Sequence, residues 1–145
     1  MRKYLCPLLA LLTLAAAGCG DSAPSKKEYV ADLDAICKES KEKIEKIDPP
    51  RSVPQIPRFV RESRAVVDDS IEDAEKLELP EDGRKGFENY ISESKKSLSA
   101  FDDLEKAAKE NDRSEVRRVF NETLAENKKR DAQAERLGLK ECGSG

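Results

Sequence analysis

The side chains of this chain that could do covalent chemistry are four cysteines, Cys6, Cys19, Cys37 and Cys142; there is no histidine. Without an imidazole, Ser-His-Asp and Cys-His nucleophile arrangements are excluded, as are di-iron bundles built on Glu-x-x-His. A free Cys37 would have no protonated histidine to lower its pKa. Two cysteines without histidine make a poor zinc shell, and a single methionine argues against a methionine copper site. No Gly-rich phosphate loop is present. The densest acidic run is Asp68 to Glu75, "DDSIEDAE", which sets Asp68, Glu72 and Glu75 on one helical face. Weak cation binding is conceivable there, but the run lacks the glycine turn and alternating oxygens of a calcium loop. Arg61, Arg64 and Lys76 are near enough to balance part of its charge. The expectation is a solvated face, with no metal, no cofactor and no enzyme activity.

Cys19 sits in a distinctive place. Met1-Arg2-Lys3 is a short positive segment, Leu5 to Ala17 is almost wholly apolar, and Ala16-Ala17-Gly18 are small. This is the layout of a secretory signal. Thirteen helical residues reach only about 20 Å, too short to cross roughly 30 Å of hydrocarbon. The run Leu14-Ala15-Ala16-Ala17-Gly18-Cys19 resembles the lipobox of bacterial lipoproteins, with Ala16 where that family most often has leucine. The alternative is an ordinary signal whose cleavage leaves an incidental cysteine. The resemblance implies a palmitate-type diacylglyceryl group on Cys19, cleavage after residue 18, and attachment to the cell membrane on its extracytoplasmic face. Two acyl chains anchor stably where one does not. The tether Gly20-Asp21-Ser22-Ala23-Pro24 spans at most about 17 Å, so the domain would sit close to the bilayer. Loss of Arg2 and Lys3 takes the formal charge from −3 to −5.

The lipobox resemblance changes what the other cysteines imply. Cys6 leaves with the signal and Cys19 is acylated. Cys37 and Cys142 then remain, in a compartment that favours disulfides. Their pairing would close about a hundred residues, worth roughly 4–5 kcal/mol in the chain-entropy model. Two separate buried thiols are the alternative.

Length and composition say what must position these residues. A chain of 145 residues is one domain. With 39% charged residues and 5% aromatics, it suits long solvated helices around a thin core better than strands. The two charge signs are interspersed and no basic stripe exists, which excludes nucleic acid as a partner. Ser25-Lys26-Lys27-Glu28 reads as a capping box. Behind it Tyr29, Leu33, Ile36, Cys37, Ile44 and Ile47 share a face, giving a helix over 26–47 that stops at Pro49-Pro50. The connection "DPPRSVPQIP" reads as a stiff loop. A second helix over 56–78 carries Val60, Val67, Ile71 and Ala74 inward. Pro80 would open a third over 81–110, with Phe87, Tyr90, Leu98 and Leu104 on its face. Asp112 would cap a fourth over 113–137, whose apolar face includes Val119, Phe120, Leu124 and Leu137. Gly138 and Leu139 form its Schellman ending.

Four amphipathic helices with short connections predict an all-α, antiparallel up-down four-helix bundle over 26–142, with 19–25 as tether and 143–145 as tail. Cys37 would lie about 16 Å up the first helix, while Leu139 to Cys142 cover about 13 Å. The bridge can close only if the tail docks. The segment "YVADLDAICK" at Tyr29–Lys38 and the tail "GLKECG" resemble small uncharacterised helical lipoproteins of actinobacteria. That group carries no assigned activity, so the resemblance implies fold, anchoring and disulfide but no chemistry. Two functions are open: an interaction or structural module of the cell envelope, engaging an envelope protein, or a binder of a small apolar ligand between the helices.

Overall fold

Ser25 and Glu28 start the first helix by satisfying each other's free backbone groups. In the computed structural model, which describes residues 23–143, Glu28 N–H donates to Ser25 Oγ at 3.3 Å and Ser25 N–H to Glu28 Oε2 at 2.9 Å. The signal segment 1–18 and Cys19 lie outside the described residues. α1 runs Lys26–Ile44, short of the expected residue 47. Lys46 and Ile47 N–H donate only three residues back, to Lys43 and Ile44. Pro49 bars the preceding residue from helical geometry, so the winding loosens one turn early. A 3-10 turn at Val53–Gln55 leads into α2, Ile56–Lys76, and Arg51 N–H donates to Gln55 Oε1 at 2.8 Å to tighten this connection. α2 ends two residues before the expected 78, because Leu77 is already extended.

The third expected helix, 81–110, is corrected most. Pro80 does not open it; Pro80 is among the fully buried side chains. Gly83 has φ 82°, the left-handed turn that glycine adopts without penalty, and α3 begins only at Arg84. The helix then breaks at a single residue. α3 is Arg84–Lys96 and α4 is Leu98–Lys109. Ser97 Oγ donates to Ser94 O at 2.7 Å and Ser99 Oγ to Lys96 O at 3.0 Å. Serine hydroxyls that bond back to the preceding turn bend helices, and two of them fall within one turn here.

α5 runs Arg113–Leu137, with the expected bounds. Asp112 accepts from Ser114 and Glu115 N–H, both at 3.0 Å. At its far end Gly138 has φ 92°, Gly138 N–H donates to Glu135 O and Leu139 N–H to Ala134 O. This is the Schellman pattern, and Leu139 is buried.

All regular structure among the described residues is helical. α2 packs on α1 and α4, and α5 packs on α3 and α4. The main core brings together Tyr29 and Leu33 of α1, Ala74 of α2, Phe87 and Tyr90 of α3, Ala134 of α5 and Leu139. The Tyr29 and Phe87 rings are tilted at 60° with centroids 4.6 Å apart. Desolvation pushes the Tyr29 hydroxyl above its ordinary pKa. Elsewhere the interior relies on small side chains, with Ser63, Ala107 and Ala108 buried beside Val60, Leu98 and Val119.

One expected apolar face is only partly used. Phe120 and Leu124 are 54% and 46% exposed. The buried positions of α5 are Val119 and Ala134. At about 100° per residue, Phe120 and Leu124 stand roughly 100° and 140° round the helix from Val119. With α5 packed on α3 and α4, they fall on its flank.

Candidate functional site

The tail docks, and one carboxylate holds it. Asp34, on α1, accepts Lys140 N–H at 3.0 Å on each oxygen. Its Oδ1 also accepts Glu141 N–H at 2.9 Å and Cys142 N–H at 3.3 Å. The Schellman turn aims the chain at α1, and Leu139 is buried in the core between. Three successive backbone donors thus meet one anion, and hydrogen bonds to an ionised acceptor are the strong kind. Cys37 lies one helical turn beyond Asp34, on the same face. The Cys37 and Cys142 sulfurs lie at bonding distance, 2.03 Å, with Cα atoms 5.1 Å apart. Gly143 then passes so close to α5 that a Cβ there would meet Asp131 O and the Ala134 side chain at 3.2 Å. Of the three cysteines singled out, the structure brings Cys37 and Cys142 together, and Cys19 is outside the described residues. Asp34 is the residue that sequence reasoning missed.

The acidic run on α2 is a charged surface threaded with cations. Lys76 Nζ lies 2.7 Å from Asp73, Lys95 Nζ 2.7 Å from Glu75, and Arg64 3.9 Å from Asp68. Arg61, expected to serve this run, pairs with Glu105 at 2.8 Å instead. Lys76 donates to Asp73 and holds that carboxyl below its usual range. Among the described residues no group of three or more acidic or cysteine side chains is placed to hold a metal ion.

Two surfaces remain, both on α5. The first is the exposed pair Phe120 and Leu124. The second is a groove of about 460 Å³ between α5 and the α3–α4 break. Ser97 and Ser99 line one side and Thr123 and Asn127 the other, with Ala100 and Val119 between charged side chains of both signs. Arg130 is half-buried in it and donates to Asn127 Oδ1 at 2.7 Å. Burial pushes the neighbouring Tyr90 hydroxyl above its ordinary pKa, and Arg130 pulls the other way. Of the described helices none is long and apolar enough to cross a membrane. Compared with family models, curated proteins and solved structures, the chain finds no match.

Proposed function

We propose that this chain is an extracytoplasmic lipoprotein, held on the cell membrane through acylated Cys19, whose helical domain is a non-catalytic interaction module of the envelope. The observation that carries it is the cysteine arrangement. With Cys37 and Cys142 at bonding distance from each other, Cys19 is the cysteine left for acylation once the signal is removed. A joined pair also suits the oxidising compartment to which the signal would deliver it. Packing of α2 on α1 and α4, and of α5 on α3 and α4, supports an antiparallel up-down bundle in which α3 and α4 form one broken rod. The half-exposed Phe120 and Leu124 on α5 support a protein partner, since exposed apolar side chains sited together mark contact surfaces.

The test fractionates cells making the native chain or Cys19→Ala. The native chain is expected in the membrane fraction, with a diacylglyceryl mass on its N-terminal peptide. Cys19→Ala is expected as unprocessed precursor or as released protein. Unaltered processing and retention of the variant would overturn anchoring. A photocrosslinking residue at position 120 of the anchored protein tests the module reading, which fails if no envelope protein is joined there.

A further inference from the structure

Phe120 and Leu124 belong to a longer stripe on the outer side of α5. Arg113, Arg117, Phe120, Leu124, Lys128, Asp131 and Glu135 follow one another at steps of 4, 3, 4, 4, 3 and 4 residues. At about 100° per residue all of them fall within roughly 80° of arc. Asp131 is half-buried where Gly143 of the docked tail passes its carbonyl, and the others are exposed. The positions of α5 that border the stripe carry no charge: Asn121, Ala125 and Ala132 on one side, Val116, Thr123 and Asn127 on the other. The ion pairs of α5 lie elsewhere on the helix, Arg118 with Glu115 and Glu122, and Lys129 with Glu126. The charged groups of the stripe make no ion pair among the described residues.

The steps read the same in both directions from Leu124, whereas the charges reverse. Two cations stand at one end of the stripe and two anions at the other. Laid on a copy of itself in the same direction, the stripe would set Arg113 on Arg113 and Glu135 on Glu135. Laid antiparallel about an axis at Leu124, it sets Arg113 on Glu135, Arg117 on Asp131, Phe120 on Lys128 and Leu124 on Leu124. Each end then has opposite charges facing each other, each phenyl ring has an ammonium group within reach of its face, and the centre is apolar. A surface that complements its own two-fold copy in this way is what an isologous dimer requires.

We infer that this stripe is a homodimer interface, through which two copies of the chain pair by antiparallel α5 helices about a two-fold axis at Leu124. The inference rests on the reading of Phe120 and Leu124 as a contact surface and names what covers them. The apolar centre is small, so the charged ends fix direction and register more than they add strength.

The experiment is sedimentation equilibrium of the full chain in density-matched detergent. The native chain is expected to dimerise reversibly. Arg113→Glu or Glu135→Arg alone puts like charges together at both ends of the pair and should weaken dimerisation by about tenfold or more. The two substitutions combined bring opposite charges together again and should recover the native affinity. Both positions are exposed, so helical circular dichroism should be unchanged in all three variants. Arg117→Glu with Asp131→Arg repeats the comparison one turn further in. In cells, a photocrosslinking residue at position 124 is expected to join the chain to a second copy, because residues on the axis meet themselves. A chain that stays monomeric up to about 1 mM, the local concentration of tethered partners, would overturn the inference. So would a doubly reversed chain as weak as the single variants. A crosslink from position 124 to a different protein alone would overturn the dimer and leave the module reading standing, while the absence of any joined protein at 120 and 124 would defeat both.

Discussion

Asp34 illustrates how a single side chain can decide where a chain terminus goes. Its carboxylate replaces water for the three successive backbone N–H groups of the tail that follows α5. Asp34→Ala removes all three acceptors at once. Hydrogen bonds to a charged group contribute about 1.5–3 kcal/mol, and the exposed tail donors can turn to water, so a loss of about 1.5–3 kcal/mol for the whole set is expected. Urea unfolding of the oxidised protein measures it. Dithiothreitol should also open the Cys37–Cys142 bridge faster in this variant, because the tail is no longer pressed onto α1. An unchanged reduction rate would mean the bridge holds the tail without help. Asp34 was not legible in advance. It is one of 30 acidic residues, and its partners lie more than a hundred residues away, beyond any spacing rule. The Ser25–Glu28 and Asp112–Glu115 caps were legible because both partners fall within one turn.

Among the helices, α5 came out as the sequence predicted because a local signal stands directly at each of its ends. α5 has Asp112 before it and Gly138 after it, and its bounds match. Gly138 occupies the left-handed region at φ 92°, with open space where a Cβ would stand. Gly138→Ala therefore costs backbone strain alone, about 1–2 kcal/mol, read as a lower urea midpoint with an unchanged slope. A larger loss would mean that the turn's direction had changed and the tail had left Asp34. The third helix was misread because apolar spacing continues through Ser97 without a gap; periodicity reports which face is buried and is blind to a hydroxyl competing for a carbonyl. Pro80 was misread because a proline before a helical pattern can open the helix or fill the core, and Gly83 decides between them. Phe120 and Leu124 widen the apolar face of α5 round from Val119, onto a side that is exposed. The groove was illegible for a related reason, since it exists only where the serine break meets the neighbouring helix.

For the domain as a whole, a thin interior makes the covalent link matter. Buried positions held by Ser63, Ala107 and Ala108 contribute little apolar area, and folded domains rest on margins of only about 5–15 kcal/mol. Cys37 and Cys142 are separated by 105 residues, and joining them is worth about 4–5 kcal/mol in the chain-entropy model. The double substitution Cys37→Ser with Cys142→Ser is expected to lose most of that amount, together with a lower melting temperature. A loss under about 1 kcal/mol would assign the stability to the helices and to Asp34. The all-helical class was readable from composition and period, and so was the need for the tail to dock; how it docks was not. The bond also changes what kind of object the domain is. From Cys37 to Cys142 the polypeptide is a covalent ring, with one short lead toward the N-terminus and another at the C-terminus. A protease that cuts the ring once, for instance in the proline-rich loop at 49–57, opens it without dividing it. Every part of the nicked molecule stays covalently joined to the rest, so under oxidising conditions a single cleavage would separate nothing, and under the anchoring proposed above it would free nothing from the lead that bears Cys19.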